Sequence, residues 1–120
     1  MRRVLIVDDS PMVRKMIKKA LAMPDYEIIG EASNGNEAVE LFGRLHPDLI
    51  TMDVTMPVLG GLEASKKILK TDPTAKILLL SAMGDEDLLA QAKEIGIKAN
   101  ARKPFTADEL LKAVRSLTGD

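Results

Sequence analysis

The sequence predicts a doubly wound α/β domain, one open parallel sheet of five strands with five helices on both faces. Three observations carry that expectation. Short apolar runs alternate five times with longer segments of helical periodicity, and no low-complexity linker interrupts them. Three of the runs are apolar almost throughout, as strands covered on both faces must be. The connections are short, so successive strands run parallel through right-handed crossovers and place helices on both faces of the sheet.

The elements follow in order. Val4-Leu5-Ile6-Val7 is the first strand. Ser10-Pro11 then gives an N-cap followed by proline at the first helical position. Met12, Val13, Met16, Ile17, Ala20 and Leu21 repeat at helical spacing until Met23-Pro24 stops the run. Glu27 to Ala32 is the second strand, and Ala38, Val39, Leu41, Phe42 and Leu45 mark a second helix before His46-Pro47. Leu49-Ile50-Thr51-Met52 is the third strand, followed by a helix carrying Leu62, Ala64, Ile68 and Leu69. Ile77-Leu78-Leu79-Leu80 precedes a fourth helix with Leu88, Leu89, Ala92 and Ile95, ending at Gly96. Ala99 to Arg102, polar on one side, reads as an edge strand. Thr106 and Glu109 form a capping box ahead of Leu110, Leu111, Val114 and Leu117.

A chain of 120 residues that is 46% hydrophobic is expected to form one domain over residues 1–120, with no room for a second catalytic or DNA-binding unit. The 17 basic and 18 acidic residues are interspersed and leave a net charge of −1, so no electrostatic footprint for nucleic acid or an anionic membrane is present. Tyr26, Phe42 and Phe105 are too few aromatics for a base-stacking platform. Without cysteine there is no disulfide, thiolate zinc site or thiol nucleophile. The apolar stretch after Arg2-Arg3 is too short for a signal peptide core or a membrane span, so a cytoplasmic, monomeric protein is expected.

Polar residues fall where a parallel sheet binds ligands. Asp8-Asp9 follow the first strand, Asp53 the third, Ser81 the fourth and Lys103 the fifth, so all lie on the C-terminal rim of the sheet. Three carboxylates crowded there repel one another unless a cation compensates them. Mg²⁺, or Mn²⁺ in its place, suits Asp9 and Asp53 as direct ligands, with Asp8 direct or through water. Zinc chemistry has no ligands here, because His46 is the only histidine. Beside a cation, Asp53 can act as a nucleophile toward phosphorus and form an aspartyl phosphate. Lys103 supplies a point charge and Ser81 a hydrogen bond to the phosphoryl oxygens.

These residues carry a resemblance that spans the chain. Leu5-Ile6-Val7-Asp8-Asp9-Ser10, Met52-Asp53-Val54-Thr55-Met56-Pro57 with Gly60-Gly61, Leu80-Ser81-Ala82 and Lys103-Pro104-Phe105 occur in the order and spacing of the receiver domains of two-component response regulators. The chain resembles that family. The resemblance implies a flavodoxin-like strand order of 2-1-3-4-5. It implies Asp53 as phosphoacceptor from a sensor histidine kinase, Asp8 and Asp9 as the acidic pair, and the main-chain carbonyl of Thr55 as a further metal ligand. Ser81 would be the hydroxyl that moves toward the phosphoryl group, and Lys103 its ion-pair partner. A cis Lys103-Pro104 bond is also implied. Phosphorylation would then switch a surface formed by the fourth helix, fifth strand and fifth helix toward a downstream partner.

The opening Asp9-Ser10 with Met12 and Arg14 is similar to stand-alone chemotaxis regulators, whose partners include the flagellar switch. A phosphorelay intermediate, or a receiver excised from a larger methylesterase-type regulator, stays open beside that reading. A phosphatase of the haloacid dehalogenase type is disfavoured because Thr55, two residues after Asp53, is not a second carboxylate. The chain departs from the family at Asn100, where an aromatic switch residue is usual. Met83 brings no acid or amide to orient water, which implies slow loss of phosphate. The seven methionines are expected to serve as adaptable packing, and Gly60-Gly61 as a turn.

Overall fold

Every expected strand forms, most of them a residue or two longer than the apolar pattern alone suggests: β1 (Arg2–Val7), β2 (Tyr26–Ala32), β3 (Leu49–Asp53), β4 (Ile77–Ser81) and β5 (Ala99–Arg102). They alternate with α1 (Pro11–Ala20), α2 (Gly35–Leu45), α3 (Gly61–Thr71), α4 (Glu86–Glu94) and α5 (Ala107–Thr118). The computed structural model describes residues 1–119.

All strand pairs are parallel, in the order β2-β1-β3-β4-β5 that the resemblance implies. Successive side chains of a strand point to opposite faces, so each central strand feeds two cores. Leu5, Val7, Ile50, Met52, Ile77 and Leu79 pack with α2, α3 and Ala92 of α4. Val4, Ile6, Leu49, Leu78 and Leu80 pack with Ile17 of α1 and Leu110 and Val114 of α5. Each fully buried leucine or isoleucine contributes about 1.5–3 kcal/mol over its exposed state, so the three central strands anchor the rim on which the polar residues sit. On β5 the exposed Asn100 and Arg102 alternate with the buried Ala101, as an edge strand requires.

The helix ends also follow the sequence. Ser10 accepts from the Val13 N–H at the start of α1, Asn34 from Glu37 at α2, and Thr106 with Glu109 closes a reciprocal box at α5. Gly60-Gly61 differs from expectation. Gly60 is the N-cap of α3 and Gly61 its first residue, and neither has a positive φ. A Cβ on Gly61 would stand 1.9 Å from the Asp53 carbonyl oxygen, so this glycine serves close approach of helix to strand rather than a turn.

The methionines divide. Met52 is buried, but Met12, Met16 and Met83 are 73%, 46% and 83% exposed. In α1 the buried face runs through Ile17 and Ala20, and the stripe of Met12 and Met16, shifted by one residue, points outward. Packing is therefore not the role of Met12 and Met83, while Met16 is half-buried beside Ala20 and Leu111.

Candidate functional site

The C-terminal ends of β1, β3 and β5 bring Asp8, Asp9, Asp53 and Lys103 together, and Ser81 ends the adjacent β4. Carboxylate oxygens of Asp8, Asp9 and Asp53 all lie within 4.8 Å of one another. Asp8 is wholly buried and Asp53 is 6% exposed, while Asp9 faces solvent. Lys103 Nζ reaches into the cluster, 2.7 Å from Asp8 Oδ2 and 3.2 Å from Asp53 Oδ1.

Local structure fixes each member. The other carboxylate oxygen of Asp8 accepts the Ser10 N–H at 2.9 Å, and the Asp8 N–H donates to Ala32 of β2. Arg14 of α1 donates to the Asp8 carbonyl at 2.6 Å while its Nε pairs with Glu31 at 3.1 Å, which ties the β1 terminus to the first helix and to β2. Asp53 pairs with Leu80 across the sheet, and the Val54 N–H donates to the Leu80 carbonyl. Ser81 is 2% exposed, and its carbonyl accepts the Lys103 N–H at 2.7 Å, so the hydroxyl and the lysine are carried by adjacent strand ends. The Lys103-Pro104 bond is cis.

The electrostatics mark Asp53 apart from an ordinary carboxylate. Burial, and then the neighbouring Asp8 charge, push its pKa up to about 6 against the opposing pull of Lys103. Burial would lower the Lys103 pKa, but the hydrogen bond to Asp8 and the charges of Asp53 and Asp8 outweigh it and hold the ammonium above its ordinary value. One lysine thus faces two buried carboxylates, with Asp9 at the edge.

The donor set fits a hard divalent cation. Mg²⁺ takes carboxylate oxygens and keeps several waters, and the all-oxygen cluster of Asp8, Asp9 and Asp53 is of that chemical kind. Among the described residues no histidine or second type of ligand joins the cluster.

A family model described as response regulator receiver domain matches residues 4–115. The chain belongs to the response regulator receiver domains. Chemotaxis protein CheY of Thermotoga maritima is 44% identical over 117 residues, 98% of this chain and 98% of that protein. CheY of Bacillus subtilis is 44% identical over 112 residues, covering 93% of each. Among solved structures, the response regulator domain of Thermotoga maritima CheB has a TM-score of 0.90 at 35% identity and covers 100% of this chain and 98% of that one. A chain of the CheX-CheY-BeF3-Mg²⁺ complex from Borrelia burgdorferi has a TM-score of 0.92 at 31% identity, covering 98% and 89%. The receiver domain is therefore of the kind found in CheY-like chemotaxis response regulators.

The receiver's remaining expected positions lie on the loops and on β5. Thr55 and Met83 are exposed on the loops after β3 and β4. Asn100 lies on β5 beside Leu79 and lines a groove of about 630 Å³ against α4, away from the carboxylates. Two further residues shape the receiver, Gly61, expected only as part of a turn, and Asp85, not expected from the sequence. Gly61 lets α3 close on the Asp53 backbone, and Asp85 accepts the Ala82 N–H at 2.7 Å. Gly-Gly after the third strand was a visible signal for the first; nothing in the sequence marks the second. Among the described residues no helix is long and apolar enough to cross a membrane.

Proposed function

We propose that this receiver accepts a phosphoryl group on Asp53 from a phosphohistidine of a sensor histidine kinase and passes the signal on by protein docking. The observation that carries the reading is the convergence of three carboxylates with Lys103 on one rim. A carboxylate oxygen of Asp53 forms the new bond to phosphorus as the donor's N–P bond breaks, and the imidazole leaves with that electron pair and takes up a proton.

Asp8, Asp9 and Asp53, with the Thr55 main-chain carbonyl, would hold Mg²⁺, or Mn²⁺ in its place. Bound there, the cation supplies positive charge against the equatorial oxygens of the transferred group. Lys103, already 3.2 Å from Asp53, adds a second positive charge, and the neighbouring Ser81 supplies a hydroxyl donor. Burial helps in two ways: it excludes bulk water from the acyl phosphate and strengthens each of these interactions. Met83 offers no acid or amide to orient attacking water, so the phosphate is lost slowly.

The protein is a cytoplasmic phosphoacceptor, not a turnover enzyme, and the face of α4, β5 and α5 binds its downstream target. Its likeness to two CheY proteins supports chemotaxis and a flagellar switch component as that target. Likeness to the response regulator domain of CheB supports a second reading, a receiver unit of a larger regulator. Pull-downs with and without beryllium fluoride separate the two by which protein is captured.

Incubation with Mg²⁺ and acetyl phosphate tests the reading. One hydroxylamine-labile phosphoryl group is expected, absent from Asp53→Asn and without Mg²⁺. A label that survives Asp53→Asn refutes it.

A further inference from the structure

Asp85 stands at the N-cap of α4, and its residue type is a strong capper, yet its side chain makes no bond to that helix. The carboxylate instead turns back and accepts the Ala82 N–H at 2.7 Å, while the Asp85 N–H donates to the Ala82 carbonyl at 3.2 Å. The side chains of Ser10, Asn34 and Thr106 cap α1, α2 and α5. The first turn of α4 is thus left without the side-chain acceptor that its own N-cap residue carries. The helix is also lightly seated: Ala92 is its one buried residue, and the groove beside Asn100 separates it from β5.

Ala82 directly follows Ser81 on the rim, next to the strand that ends in Asp53. A phosphoryl group on Asp53 brings three oxygens to that rim, and each seeks a donor. The Ala82 N–H is a backbone donor within this segment, and Asp85 occupies it. A phosphoryl group carries more charge than a carboxylate and repels one at short range, so a phosphoryl oxygen that reaches this amide must displace Asp85 from it.

We propose that Asp85 is a positioning residue that exchanges partners: it holds the Ala82 N–H in the resting receiver and, once a phosphoryl group takes that donor, turns to cap the first turn of α4. The inference rests on Asp53 as phosphoacceptor. It links the site to α4 through one residue with two alternative acceptor roles: capping takes Asp85 from its present φ of −92° and ψ of 13° to the extended backbone that Ser10, Asn34 and Thr106 already have, and no aromatic residue is needed at position 100.

Amide hydrogen exchange across residues 86–89 tests it, with Mg²⁺ and beryllium fluoride standing in for phosphorylation and the fluorine resonance of bound fluoride reporting occupancy of Asp53. In the wild type, bound fluoride is expected to slow exchange in this turn by roughly fivefold, the effect of one N-cap. Asp85→Ala should bind fluoride yet show no slowing. Asp85→Asn keeps both acceptor roles, so it should fold as the wild type does and restore the slowing. Equal slowing in Asp85→Ala, or an unchanged turn in fluoride-bound wild type, overturns the exchange while leaving Asp53 as acceptor. Absence of any bound-fluoride resonance overturns the phosphoacceptor reading, and this inference with it.

Discussion

Lys103 Nζ lies closer to Asp8 than to Asp53, at 2.7 Å against 3.2 Å, and Asp8 has no exposed surface. The lysine therefore neutralises the buried member of the acidic pair and leans on Asp53 from the side. Removing it strands a charge in the interior. Lys103→Met is expected to destabilise the metal-free protein by about 3 kcal/mol, the cost of breaking one side of a buried pair. Mg²⁺ should recover part of that loss by compensating the same carboxylates. Urea unfolding with and without Mg²⁺ measures both effects, and a variant as stable as the wild type without metal would contradict them.

Asp53 gives the site a pH signature. A carboxyl whose pKa is higher in the folded chain than in the unfolded one binds more protons when folded, so stability falls as pH rises between the two values. For Asp53 that window runs from the ordinary value of 3.8 up to about 6, and the loss is complete above it. Asp53→Asn should therefore stabilise the metal-free protein by on the order of 2 kcal/mol at neutral pH, the gain shrinking toward zero as pH falls to the lower limit. Mg²⁺ should raise the melting temperature of the wild type and have less effect on the variant. Thermal unfolding across this pH range, in chelator and in Mg²⁺, checks the sign.

Gly61 has no room for a side chain. Its missing Cβ would fall 1.9 Å from the Asp53 carbonyl oxygen and 2.8 Å from the carbonyl carbon, both backbone atoms that cannot swing aside. Gly61→Ala should cost about 2–4 kcal/mol and slow phosphorylation as well, because α3 must shift from the strand end that presents Asp53. Gly43, exposed in α2 with nothing near its Cβ position, is the control: Gly43→Ala should stabilise by about 0.5–1 kcal/mol.

Thr51 sits in the middle of β3, wholly buried, and its hydroxyl has no hydrogen-bond partner among the described residues. Valine has the same shape without the polar atom. Thr51→Val is expected to gain about 1 kcal/mol and leave phosphorylation unchanged, since the change keeps the side chain's shape and removes only an unpaired buried hydroxyl. A loss of stability in urea would show that the hydroxyl has a partner in solution.

Much of this was legible in the sequence because it is local. Apolar runs such as Ile77-Leu78-Leu79-Leu80 announce strands by their own composition, and the polar residue that ends each run lands on the rim because parallel strands share their C-terminal side. That rule alone gathers Asp8, Asp9, Asp53, Ser81 and Lys103. The phase of α1 was ambiguous: Met12 with Met16 and Val13 with Ile17 have the same spacing, and packing against β1 and α5, not periodicity, turned the second pair inward. Gly60-Gly61 was visible but its purpose was not, and Asp85 was beyond reach for a related reason. The missing room for a Cβ at Gly61 and a carboxylate that turns away from its own helix depend on where loops carry the backbone, which no spacing encodes.

Reductive trapping puts the central claim most directly at risk. Borohydride reduces an acyl phosphate to an alcohol and leaves a free carboxylate untouched, so protein treated with acetyl phosphate and Mg²⁺ and then reduced should contain homoserine at position 53 and at no other aspartate. Homoserine at Asp8 or Asp9, or aspartate left intact at position 53 in protein that carries the label, would contradict the account.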